Sequence, residues 1–205
     1  MDQQGQATTV EHAEWEGEHY KAGIQGQRIA VVGFSHWGDA NGEDPDFTCN
    51  VLSEVREGRS HAFFDRIQEY FGHRGDYSFW DKVLFFNFIP TLIGGGDERY
   101  AYGTPEQHNR GRERFLQIIG RQLPEKVLVF SRKTWDALGP FRAGDDGPHQ
   151  LGAGLPAKFE WGRYEQDGHM AAAFGLRHTQ GAKTEEMTRA VEQVLKTDVR
   201  QRGPQ

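Results

Sequence analysis

The chain has 205 residues, of which 36% are hydrophobic and 12% aromatic, enough to bury one core and too apolar for wholesale disorder. No apolar run reaches the ~18–20 residues of a membrane helix, the N-terminus lacks the basic and apolar regions of a signal peptide, and a lone cysteine, Cys49, excludes disulfide frameworks and thiolate metal cages. The net charge of -6 disfavours a polyanionic partner overall, yet residues 1–24 alone hold five acids against Lys21, while His108–Arg142 holds eight basic residues against three acids.

Taken in chain order, residues 1–24 form a polar acidic lead-in with a helical turn or two around Val10–Tyr20. His12, Glu16 and His19 have metal-like spacing there but suit a solvated acidic helix better. Arg28–Phe34 is a β-branched apolar run ending near Gly33, the pattern of a buried strand entering a tight loop. Helices are expected over Thr48–Glu57 and Ser60–Phe71, the second with Phe63, Phe64, Ile67, Tyr70 and Phe71 on one face. Lys82–Ile89 is a second buried strand, stopped by Pro90. Thr104-Pro105-Glu106 opens a helix running to Gln122, with threonine as cap and proline in the first turn.

Lys126–Phe130 is a third buried strand, leading into a short helix at Lys133–Leu138 and a long polar loop, Gly139–Pro156. Phe159–Tyr164 and His169–Gly175 make a hairpin across Asp167-Gly168. A helix over Thr184–Lys196 and a polar tail close the chain. Strands alternating with helices predict a three-layer α/β/α sandwich with a mostly parallel central sheet. Residues 25–198 are expected to form that single domain, with 1–24 and 199–205 outside it.

In such sheets ligands bind beyond the carboxyl ends of the strands. The stretches to watch are therefore Gly33–Gly38, Asn87–Thr91, Ser131–Trp135 and Leu176–Gly181. They hold Gly-Phe-Ser-His-Trp-Gly (33–38), Asn-Phe-Ile-Pro (87–90) and Arg-His-Thr-Gln-Gly (177–181). Asn87 can offer a donor and an acceptor to a planar ligand edge. Ser35 with a distant His178 is also compatible with nucleophilic hydrolysis, though no Gly-x-Ser-x-Gly elbow is present.

The order and placement of these motifs resemble the uracil-DNA glycosylase superfamily, and Phe79–Pro90 with Lys126–Leu138 resembles a bacterial and phage branch of it. The resemblance spans Gln27 to Lys196. It implies a base-flipping DNA glycosylase, monofunctional, that hydrolyses an N-glycosidic bond and leaves an abasic site. The target implied is uracil or a modified pyrimidine, including a hypermodified phage base and hence a role in anti-phage defence.

Residue by residue, Gly33–Trp37 aligns with the family's water-activating Gly-Gln-Asp-Pro-Tyr motif. Ser35 stands where the acid is expected, so Ser35, His36 or the later Asp39 would position the water. Phe34, Trp37 and Phe47 would wall or stack the base and Asn87 would read its edge. His178 would stabilise the departing base, in a His-Thr-Gln sequence where the family has His-Pro-Ser. Arg132, Lys133, Arg177 and Lys183 are the expected DNA contacts. No metal, cofactor, membrane or protein partner is implied, and a cytoplasmic monomer is expected. A serine–histidine hydrolase and a non-catalytic nucleic-acid-binding module remain the alternatives.

Overall fold

A computed structural model describes residues 10–37, 44–94, 101–139 and 148–198. Its strands are β1 (Trp15–Glu16), β2 (Ile29–Gly33), β3 (His36–Trp37), β4 (Val83–Asn87), β5 (Leu92–Ile93), β6 (Lys126–Val129), β7 (His149–Gln150), β8 (Glu160–Gln166) and β9 (His169–Gly175). The helices are α1 (Phe47–Arg56), α2 (Ala62–Tyr70), α3 (Pro105–Gln122), α4 (Arg132–Ala137) and α5 (Thr184–Lys196), with a 3-10 turn at Tyr77–Lys82. Seven strands form one sheet in the order β1-β4-β2-β6-β9-β8-β7. Its centre, β4-β2-β6-β9, is parallel, while β1 and β8 run antiparallel to their inner neighbours.

The central strands read as unbroken apolar runs because helices cover both faces. Ile29, Val31, Val83, Phe85 and Leu128 pack against α1, α2 and α5. The alternate residues Ala30, Val32, Leu84, Phe86 and Val129 pack against Phe115, Ile118 and Ile119 of α3 and Trp135 of α4. This period of two places Gly33 and Asn87 on the α1/α2 side, two residues beyond Val31 and Phe85. Because β4 and β6 flank β2 on opposite sides, the chain reverses its winding beside β2, and a crevice opens at the strand ends there.

Local chemistry sets several boundaries. The Thr104 hydroxyl accepts from Gln107 N–H at 3.2 Å while the Gln107 side chain accepts from Thr104 N–H at 2.8 Å, a reciprocal cap with Pro105 in the first turn. Asp167 and Gly168, with φ of 52° and 78°, supply the two left-handed residues that a tight β8–β9 hairpin needs. Among the described residues no helix is long and apolar enough to cross a membrane.

The lead-in departs from expectation. Residues 10–24 contain no helix; they lie along the open edge of β4, where β1 pairs with Leu84 and Phe85. The edge strand's backbone groups need partners, and Gly17 N–H donates to the Val83 carbonyl at 3.1 Å. Tyr20 is fully buried, and His12, expected on a solvated helix, is 2% exposed. Residues 10–24 are therefore part of the domain and not a lead-in to it. Residues 1–9 and 199–205 lie outside the described residues.

The basic run of α3 meets these acids. Arg110 bonds Glu11 at 2.8 Å, and Arg121 pairs with Glu14. Arg114, 7% exposed, donates to the His12 carbonyl at 2.6 Å and the Asn87 carbonyl at 3.1 Å, with Glu14 at 3.5 Å. A buried cation that loses its counter-charge is costly. Glu14→Ala is expected to destabilise the fold by about 2–3 kcal/mol, below the full cost of orphaning a buried ion because both carbonyl bonds survive. Urea unfolding of the variant checks it.

Candidate functional site

Each parallel strand ends at one cavity of about 790 Å3. Gly33 and Asn87 are register partners at the ends of β2 and β4. After Gly33 the chain bends through Phe34 and Ser35 into β3, which pairs with β5 in a separate two-stranded parallel sheet. That small sheet holds the loop beside the cavity. Ser131, two residues past β6, caps α4, its hydroxyl accepting from Thr134 N–H at 3.1 Å. Thr134 in turn donates to the Gly33 carbonyl at 3.2 Å, tying α4 to the end of β2.

The structure brings most of the expected residues together. Ser35, His36 and His178 all line the cavity; Asp39 lies outside the described residues. Phe34, Trp37, Phe47 and Asn87 line it too, as do Arg132, Lys133 and Arg177. Lys183 does not: it is exposed at the start of α5, away from the lining.

Asn87 is 6% exposed, and its side-chain amide makes no hydrogen bond among the described residues. Its backbone is held by Arg114, so a rigid main chain presents an amide with capacity to spare. His178 accepts from Gln180 N–H at its Nδ1, 3.1 Å away. The neutral imidazole then carries its proton on Nε2. Burial, and secondarily the Lys133 charge, push His178 below the usual histidine value. Its ring sits 5.5 Å from that of Phe63.

His36 is clamped. Its Nε2 is 2.9 Å from the Thr48 hydroxyl, and its ring meets Phe47 at 4.8 Å and His12 at 5.5 Å. Burial, then the His12 and His61 charges, lower it to about 3. At neutral pH it is a packed, uncharged ring and a poor base. The unfolded chain binds this proton near pH 6.5, so the fold is expected to lose stability as pH falls from about 6.5 toward about 3. Above 6.5 this penalty vanishes. Urea midpoints at pH 7 and pH 5 check it: His36→Gln should flatten the difference.

Phe47 is stacked on His12 at 5.4 Å and 28°, which fixes its ring at the cavity wall. Trp37 stands at the mouth, 46% exposed. Lys133 Nζ lies 3.8 Å over the Tyr102 ring and 5.3 Å over Phe34. Arg132 is engaged by Asp136 at 2.9 Å and Glu160 at 3.0 Å, and Arg177 by Glu186 at 3.5 Å. Ser35 makes no side-chain hydrogen bond among the described residues, to His178 or otherwise.

The described lining thus contains three cations, three imidazoles and no carboxylate. That set suits the stabilisation of developing negative charge. Among the described residues no group of three or more His, Cys, Asp or Glu side chains stands ready to hold a metal ion. Sequence patterns gave no site role to Thr48 and His61 and counted Arg114 only within a basic run; the fold assembles them around the motifs.

No family model and no curated protein matches the chain. A solved structure from Bordetella bronchiseptica, a domain of unknown function (DUF1537) with bound citrate in a domain-swapped dimer, is similar at a TM-score of 0.36 and 8% identity. The similarity covers 82% of this chain, which spans 40% of that one.

Proposed function

We propose that the protein is a monofunctional DNA glycosylase of the uracil-DNA glycosylase type, acting on a base flipped into the strand-end cavity. The observation that carries this is the meeting of Asn87, His178 and Phe47, from distant parts of the chain, in one cavity rich in cations and free of described carboxylates. N-glycosidic cleavage leaves negative charge on the departing base. A neutral His178 would donate from Nε2 to that anion, and the Lys133 charge would favour it. The Asn87 amide would read the base edge, and Phe47 would stack on the ring. Ser35 and the neutral His36 suit holding a water and not deprotonating it.

A volume of about 790 Å3 falls among pockets of about 300–1,000 Å3 that take drug-sized ligands. It favours a pyrimidine with a bulky modification over plain uracil, and with it a role in defence against phage DNA. A serine hydrolase is less well supported, because His178 Nδ1 is engaged by Gln180 and Ser35 has no histidine partner within the described residues.

The test is incubation with oligonucleotides and hypermodified phage DNAs, scored for abasic sites. Strand breaks are expected only after alkali, and borohydride should trap no complex, since water and not an amine attacks the sugar. Lys133 is the described lysine at the cavity. A covalent complex abolished by Lys133→Ala would move the nucleophile there. Binding without abasic sites would instead support a non-catalytic module, and ester turnover lost on Ser35→Ala the hydrolase.

A further inference from the structure

We propose that the rim of this cavity is a platform for single-stranded DNA, on which Trp37 and Tyr102 stack unpaired bases flanking the nucleotide that enters. The proposal rests on the glycosylase assignment for what happens inside the cavity, while the platform itself is testable without cleavage.

Among the described residues the exposed large apolar side chains are Trp37 at 46%, Tyr102 at 68%, Leu123 at 41% and Met170 at 37%. Both aromatic members of that group belong to the cavity edge. Trp37 lines it, and Tyr102 follows the lining residue Ala101 and lies against the lining residue Lys133. Each is held in place despite its exposure. Trp37 sits in β3, paired with Ile93 of β5. Tyr102 has an ammonium 3.8 Å over its ring, and its carbonyl bonds the His108 ring at 2.5 Å. An exposed ring fixed before binding loses little freedom when a base stacks on it. The Lys133 charge under Tyr102 is also close at hand for a neighbouring phosphate.

Charge decides between single strand and duplex. Duplex binding draws chiefly on cations that neutralise phosphates. Here the net charge is -6, and the densest basic run is committed to internal bonds: Arg110 to Glu11, Arg112 to the Ala137 carbonyl, and Arg114 and Arg121 to Glu14. Arg132 and Arg177 carry their own acid partners. Stacking on exposed aromatics needs unpaired bases and far fewer cations. Aromatic rim and spent cations together point to single strands.

The experiment is fluorescence anisotropy of the full chain with a labelled thymidine oligonucleotide of roughly a dozen residues, compared with a duplex of equal length. The single strand is expected to bind at least ~10-fold more tightly, and Trp37→Ala or Tyr102→Ala to weaken it by roughly 5- to 100-fold each. Trp37→Phe and Tyr102→Phe, which keep a ring, should retain most of the binding, and unchanged melting shows that the exposed sites leave the fold intact. Equal or tighter duplex binding, or alanine variants that bind like the parent, would overturn the platform. Abasic sites formed in duplex with no single-strand preference would sink this inference and spare the glycosylase. Single-strand binding lost with the rings, but no base ever released, would do the reverse.

Discussion

For the proposed glycosylase, Asn87→Ala and His178→Ala are each expected to cut single-turnover base release by on the order of 10²–10³, with melting nearly unchanged, because each would remove a preorganised contact to charge that develops only in the transition state. Neither side chain supports the core. The Asn87 amide makes no protein hydrogen bond among the described residues, and His178 stands at the cavity mouth with one bond to the Gln180 backbone. Their loss should therefore appear in the chemical step more than in substrate affinity. The double variant should fall short of the product of the two effects if both groups act on the same departing anion.

His178 has a further signature. Its Nδ1 already accepts a backbone N–H, so a proton added there would face Gln180 N–H head-on, and burial and Lys133 also disfavour the charged ring. Any break in the rate that belongs to His178 should then fall below pH 6.5. Single-turnover rates from pH 5 to 8 on a released base settle it. Normal rates in both alanine variants would remove these residues from the mechanism.

The central sheet was legible because strands buried on both faces advertise themselves as apolar runs; Arg28–Phe34, Lys82–Ile89 and Lys126–Phe130 contain β2, β4 and β6. The rule that ligands sit beyond parallel strand ends then reached Ser35, Asn87, Lys133 and His178. What stayed hidden has a common cause. The two-residue strands β1, β3, β5 and β7 are too short to show a period, and their existence depends on an edge to pair with. The acidic lead-in read as a solvated helix, and the basic run of α3 as a local excess of positive charge. They are instead halves of one network, with Glu11 and Arg110 separated by 99 residues. His12 could not be read as the ring behind Phe47, since nothing local distinguishes a histidine facing solvent from one facing a distant aromatic.

Gly33→Ala is expected to lower base release by about 10²-fold while the protein stays folded, a loss approaching that of Asn87→Ala itself. Gly33 ends β2 directly across from Asn87, and a methyl group there would overlap the Asn87 Oδ1 atom. The backbone of β2 cannot yield: Val32 lies in the core, and the Gly33 carbonyl accepts from both Thr134 Oγ1 at 3.2 Å and Phe88 N–H at 3.2 Å. The Asn87 backbone is equally held, by the buried Arg114. The amide is left to move, and it must retreat by about 1 Å to regain ordinary contact distance. Stability should fall little, because the displaced amide has no hydrogen bond to lose among the described residues. In the proposed reaction the glycine is thus a positioning residue, empty so that the amide beside it can be in place. A structural role alone would lower melting and leave the rate per folded molecule unchanged. The decisive comparison is the Gly33→Ala, Asn87→Ala double variant. If the methyl group acts only through the amide, adding it to Asn87→Ala should cost almost nothing further. A second, independent 10²-fold loss in the double variant would show that Gly33 serves the reaction by another route.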